Sequence, residues 1–244
     1  MSKYNRFFAF GCSFTKYKWP TWADILGKSF QEHYNFGEDG AGNFYIFLHI
    51  MKAINDYQIN NDDLVIVEWS GLTREDRFIK GKWNLSGNVY GYHNNALGKN
   101  FVENIFDPEH CLIRDYTLIA AAYELLEKTK CKFLFTSMMS LEEFEKPWTS
   151  KLVKIKQLEG NNWTKSFNKY LKHFLPSFKE VIFNNDWTSK PRPHHDFHPT
   201  PLQHLEFVKK ILIPHIDDDI VLDEKYIKEI TVIENNIWSL DAKL

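Results

Sequence analysis

Residues 6–15 read Arg6-Phe7-Phe8-Ala9-Phe10-Gly11-Cys12-Ser13-Phe14-Thr15, an apolar run cut off at a glycine. The run is long enough for a buried strand, and Gly11 permits the tight turn that ends it. Outward from it, strand and helix patterns alternate. Pro20 suits the first turn of a helix through Trp22-Ala23-Asp24-Ile25-Leu26, ending near Gly27. His33–Phe36 reads as a weaker strand running into the glycine-rich segment Glu38-Asp39-Gly40-Ala41-Gly42-Asn43. From Asn43 to Tyr57, Phe44, Phe47, Leu48, Met51 and Ile54 fall at helical spacing.

Asp63–Trp69 (DLVIVEW) is the clearest buried strand, because its unbroken apolar run suits a parallel sheet covered on both faces. Asp115–Lys128 reads as helix, Lys132–Met138 as strand, and Trp163–Leu175 as helix stopped by Pro176. Glu180–Asn184 (EVIFN) reads as a last strand. Thr200-Pro201-Leu202-Gln203 is a capping-box pattern opening a helix, with Pro214 after its end. The alternation predicts an α/β fold: a three-layer α/β/α sandwich around a mainly parallel sheet of about five strands. Residues 1–222 are expected to form one domain and 223–244 a helical tail. Residues 78–107, aromatic and Asn-rich without a period, are expected to be a lid or a small hairpin insertion.

A chain of 244 residues fits one sizeable domain. Its formal net charge of -2 argues against nucleic acid as a partner. No run is apolar for long enough to cross a membrane, and the N-terminal run lacks the features of a signal peptide, so a soluble, cytoplasmic protein is expected. Cys12, Cys111 and Cys131 form no CxxC pair, so neither a disulfide framework nor a zinc ribbon is indicated.

Three segments carry candidate chemistry. Ser13 sits in the turn after the first strand, where open α/β sheets bind ligands. Gly40 precedes a helix start, where backbone N–H groups favour negative charge and suit an oxyanion hole. Asp196 and His198 lie two apart, just before the capped helix. An imidazole there can take the serine proton while the carboxylate fixes its tautomer. The plainer alternatives are a serine capping its own turn, a glycine-rich helix start, and a polar loop with incidental histidines. A metal site built from His194, His195, Asp196, His198 and His204 is a further alternative, although the spacing matches no known ligand motif. Cys12, beside Ser13, is expected to face the core as a small hydrophobe.

Taken in order, Gly11-Cys12-Ser13, Gly40 and Asp196-Phe197-His198-Pro199 resemble the SGNH/GDSL hydrolase superfamily. The match replaces the usual Asp of the serine motif with Cys12 and shortens the late DxxH motif by one residue. The whole pattern is similar to a divergent branch of that superfamily carried by viral and bacterial genomes. The resemblance implies a flavodoxin-like sandwich and a triad of Ser13 as nucleophile, His198 as base and Asp196 as its orienter. It implies no cofactor and an acyl ester substrate, a small molecule or an O-acetylated carbohydrate, with acyl transfer by the same serine as a variant. It also implies an oxyanion hole at Ser13 and Gly40. The Asn that the family usually carries after its third strand, as an oxyanion donor, is absent from Ser70-Gly71-Leu72-Thr73-Arg74, so the Ser70 hydroxyl or the Gly71 N–H is the expected substitute. A lost oxyanion donor costs roughly 10²–10³ in rate, which leaves open a non-catalytic binding protein on the same fold. Asn43, Arg74, Trp83, Tyr90, Tyr92 and His195 are the further candidates for substrate contact. Arg77, near Arg74, belongs with them or with a solvated turn. Oligomeric state is left open.

Overall fold

The computed structural model describes residues 3–90, 97–141, 143–145, 152–154, 162–193, 196, 198–216 and 219–241. Its centre is a parallel four-stranded sheet in the order β2 (Glu32–Asn35), β1 (Arg6–Phe10), β3 (Asp63–Trp69), β6 (Lys132–Ser137). Phe8 pairs with Tyr34 on one side and Val65 on the other, and Ile66 pairs with Leu134. Side chains alternate along each strand, so each strand feeds both faces. Phe7, Ala9, Leu64, Ile66 and Leu134 lie in one buried cluster; Phe8, Phe10, Val65, Val67 and Phe135 lie in the other. This is why the central strands read as unbroken apolar runs rather than as alternating ones.

The first cluster is covered by α1 (Trp22–Gly27), α6 (Phe178–Phe183) and α7 (Pro201–Phe207). The second is covered by α2 (Asn43–Tyr57), α4 (Pro108–Thr129) and α5 (Asn162–Leu171). The predicted three-layer sandwich is therefore present.

Two elements differ from the sequence reading. Glu180–Asn184 is not a strand: Phe178–Phe183 is helix α6, with the Ser177 hydroxyl accepting from Glu180 N at 3.2 Å. Ser177 and Glu180 form a helix-start pattern that outweighs the β-branched run. The fifth strand position is reduced to one residue, where Phe174 bridges Phe135 in parallel and Leu175 N donates to Phe135 O at 2.8 Å. Nor does the helix from Pro201 end before Pro214. A π-helical turn at Val208–Leu212 carries it into α8 (Ile213–His215), so the proline is accommodated within the run.

The insertion opens with a hairpin. β4 (Arg74–Ile79) and β5 (Lys82–Asn88) pair antiparallel around a two-residue Lys80-Gly81 turn, both at positive φ. A short helix, α3 (Gly98–Asn104), follows. Strands β7 (Glu143–Glu145) and β8 (Leu152–Lys154) form a second small hairpin. The tail forms α9 (Glu224–Asp241). Its Ile230 joins the core, and its Glu234 carboxylate accepts from Leu202 N at 3.1 Å, in the first turn of α7. No helix among the described residues is long and apolar enough to cross a membrane.

Candidate active site

Ser13 lies in the turn directly after β1. Cys12 O accepts from Thr15 N at 2.9 Å and Lys16 N at 3.1 Å, which closes that turn. Gly11 is required there: a Cβ would come within 1.9 Å of Thr15 Oγ1 and 3.0 Å of Glu68 O. Cys12 is fully buried among apolar groups, and burial pushes its thiol pKa up, so it remains a thiol. Ser13 is only 2% exposed, and among the described residues its hydroxyl has no hydrogen-bond partner.

Asp196 and His198 are brought to this turn by contacts that span most of the chain. Trp19 Nε1 donates to Pro199 O at 2.9 Å. Tyr17 Oη donates to Asp196 Oδ2 at 2.6 Å, and Lys18 Nζ lies 2.6 Å from the same oxygen. The other oxygen, Oδ1, accepts from His198 N at 3.0 Å and lies 2.8 Å from His198 Nδ1. The Tyr17 ring stacks on the imidazole with centroids 3.9 Å apart, and the Phe14 ring meets it edge-on at 5.9 Å. The residue after Ser13 and the residue four beyond it thus both hold the imidazole.

Burial works against the charge on Asp196. Hydrogen bonds from Lys18, Tyr17 and His198 outweigh it and bring the carboxyl down to about 2. An ionised carboxylate only accepts hydrogen bonds, so His198 Nδ1 carries the proton and Nε2 is left as the basic nitrogen. Burial also pulls the imidazole below its usual 6.5, against the opposing pull of Asp196. His198 is therefore neutral near pH 7, as a general base must be.

Gly40 has φ +74, a conformation that favours glycine. The hairpin braces it: Gly87 N donates to Gly40 O at 3.1 Å, and a Cβ on Gly40 would meet Leu85 O at 3.0 Å. Among the described residues, neither Ser13 N nor Gly40 N has a hydrogen-bond acceptor. Ser70 is engaged differently. Its N–H donates to Asn43 Oδ1 at 2.7 Å, and its buried hydroxyl faces Met138 Sδ at 3.7 Å. Gly71 packs beside Met139, whose sulfur lies 3.4 Å from the position of a Cβ.

The remaining candidates divide. Asn43 is a buried staple: its Nδ2 donates to Ser70 O at 3.1 Å and to Asp115 Oδ2 at 2.7 Å, so its amide is spent on protein groups. Trp83 packs against Phe44, Tyr45 and Phe78, and Tyr90 against Phe106. Arg77 pairs with Glu75 at 2.8 Å. Arg74 donates from Nη1 to Ala41 O at 3.0 Å, one residue beyond Gly40. Tyr92, His194 and His195 lie outside the described residues. Among those described, no group of three His, Cys, Asp or Glu is placed to hold a metal ion. His204 lies between Phe14 and Phe178, neither ring nitrogen has a hydrogen-bond partner among the described residues, and burial lowers its pKa to about 3.

Sequence reasoning missed Tyr17, Lys18 and Glu68. Glu68 is fully buried on β3 and accepts at Oε2 from Thr15 Oγ1 at 2.9 Å and Trp22 Nε1 at 2.7 Å. It ties the turn that carries Ser13 to both the sheet and α1. Burial pushes its carboxyl up to about 7, and Oε1 has no partner among the described residues. The sequence signal was there: a carboxylate that follows the apolar stretch of DLVIVEW into the sheet, as Glu68 does, must find donors. Tyr17 and Lys18, in an irregular turn, had no periodic signal.

No protein-family model matches the sequence, and no curated protein matches it. Several solved structures are similar in shape. One is a member of the lipolytic G-D-S-L family from Veillonella parvula, with 14% identity, 86% of this chain and 99% of that chain covered, and a TM-score of 0.49. A GDSL-like lipase from Bacteroides thetaiotaomicron has 16% identity, 84% and 86% coverage, and a TM-score of 0.46. The psychrotrophic esterase EstA from Pseudoalteromonas sp., in a structure inhibited by monoethylphosphonate, has 12% identity, 84% and 95% coverage, and a TM-score of 0.43.

Proposed function

We propose that this chain is an SGNH-like serine hydrolase that cleaves a small acyl ester through Ser13, His198 and Asp196. The observation that carries the reading is the His198 Nδ1–Asp196 Oδ1 contact of 2.8 Å, set against the Ser13 turn by Tyr17 and Phe14. Ser13 Oγ attacks the carbonyl carbon while His198 Nε2 takes its proton. Asp196 stabilises the imidazolium without accepting the proton. The carbonyl π electrons move to oxygen, and the Ser13 and Gly40 N–H groups receive the oxyanion. His198 then protonates the departing alkoxide, and water repeats the sequence on the acyl-enzyme.

The near-complete burial of Ser13 supports a small acyl group. O-acetyl groups on a carbohydrate are the class we put forward, since they pair a short acyl chain with a ring that Trp83 or Tyr90 would face. Turnover of p-nitrophenyl acetate tests the chemistry. Asp196→Asn should lower kcat about 10⁴-fold by favouring the wrong imidazole tautomer. Activity that survives Ser13→Ala and vanishes with a chelator would instead support a metal-dependent mechanism at the histidine-rich loop.

A further inference from the structure

Arg74 stands beside Ala41, one residue past Gly40, and makes no ion pair among the described residues. Its Nη1 donates to Ala41 O at 3.0 Å, and its Nη2 lies 3.6 Å from Met138 Sδ. Among the described residues, no carboxylate oxygen lies within 4.0 Å of it. The Arg74 charge opposes the upward pKa shifts of Glu68 and Asp76, but each of these acids takes its hydrogen bonds from other groups, Glu68 from Thr15 and Trp22. Asp76 accepts from Gly42 N at 2.8 Å and Tyr45 N at 2.9 Å, at the start of α2. Glu75 pairs with Arg77 and Arg114, and Asp115 with Arg114 and Asn43. A partly buried guanidinium that, among the described residues, hydrogen-bonds only a carbonyl and a thioether keeps unspent donors, an arrangement suited to an anion.

The charge sits between both halves of the site. Met138 Sδ touches Cys12 Sγ at 4.0 Å as well as Arg74, so a single atom separates the guanidinium from the residue preceding Ser13. On the other side Arg74 is close enough to His198 to disfavour its protonation. None of residues 70–74 after β3 is an Asn, and Leu72 among them is buried in the core.

We propose that Arg74 is the third oxyanion group of this site. On this reading, which rests on the serine-hydrolase mechanism above, its guanidinium donates to the carbonyl oxygen as that oxygen becomes negative. Arg74 thereby replaces the missing amide with a full positive charge. Gly42 makes room for this arrangement, since a Cβ there would come within 2.9 Å of Arg74 Cβ.

The test compares wild type, Arg74→Lys and Arg74→Met on p-nitrophenyl acetate, a neutral ester, and on an ester carrying a carboxylate in its acyl group. It also measures the affinity of each protein for methylboronic acid, which forms an anionic tetrahedral adduct on a nucleophilic serine. The expected result is a loss of about 10² in kcat on the neutral ester for Arg74→Met, with KM nearly unchanged. Boronate affinity should fall in parallel, and Arg74→Lys should recover part of both. An unchanged kcat and boronate affinity would overturn the proposal. So would a loss confined to KM for the carboxylate-bearing ester, which would make Arg74 a substrate clamp. If Arg74→Met does not fold, Arg74→Lys carries the comparison, because a full loss of boronate affinity with the charge retained contradicts a charge-based role. A wild type that forms no boronate adduct fails the serine reading itself, an outcome distinct from the others.

Discussion

Glu68 offers a prediction whose size follows from its surroundings. It is fully buried, and its carboxyl is raised from 4.5 to about 7 because desolvation outweighs the donors from Trp22 and Thr15. A raised carboxyl means that the folded protein holds a proton which the unfolded chain releases at lower pH. Between pH 4.5 and 7 the folded state binds more protons, so stability falls as pH rises. At about 1.4 kcal/mol per unit, the full loss is about 3 kcal/mol. Glu68→Gln removes the charge while keeping an oxygen for Thr15 and Trp22, but it places an unpartnered NH₂ near the Oε1 position, costing about 1–3 kcal/mol. The variant should therefore be less stable than wild type at pH 5 and equal or more stable at pH 8. Urea unfolding of both proteins across pH 5–8 measures the difference directly, and shared contributions such as Asp115 cancel. A stability difference that does not change with pH would show instead that Glu68 is ionised throughout or solvated.

Two further outcomes follow from the site. The rate profile of kcat/KM for a neutral ester should show an acid limb with a midpoint below 6.5, since burial lowers the His198 pKa; a midpoint above 6.5 would mean that the Asp196 charge dominates instead. Gly40→Ala should lower kcat and cost about 1–3 kcal/mol in urea unfolding, because φ is +74 and a Cβ would press on Leu85 O at 3.0 Å; wild-type behaviour in both assays would remove Gly40 from the oxyanion loop.

The sequence made the layers legible where burial dictates pattern. DLVIVEW and RFFAF each hold an unbroken apolar stretch, Leu64–Val67 and Phe7–Phe10, because helices cover both faces of the sheet, and each is a central strand. EVIFN misled because a short apolar run suits strand or helix equally, and the deciding residue, Ser177, lies outside the run. Pro214 misled because a π-helical turn accommodates it, and side-chain spacing does not report that adjustment. Of the candidate site, Ser13 was visible as a serine just past a strand, Gly40 as a glycine ahead of a helix start, and Asp196 and His198 as a pair just before a capped helix. Their supports were not. Tyr17 and Lys18 act through a fold that joins residues almost 180 positions apart, and only the tertiary contacts at Asp196 reveal them. Asn43, offered as a substrate contact, is instead a staple between α2 and the end of β3.

The central claim is that Ser13 is a nucleophile activated by His198. It is tested most directly by treating the folded protein with a fluorophosphonate and locating the adduct by peptide mass spectrometry. One phosphonylated residue is expected, Ser13, with labelling abolished in Ser13→Ala and slowed by orders of magnitude in His198→Ala. No adduct on the folded wild-type protein, or an adduct at Ser13 formed equally fast without His198, would contradict it.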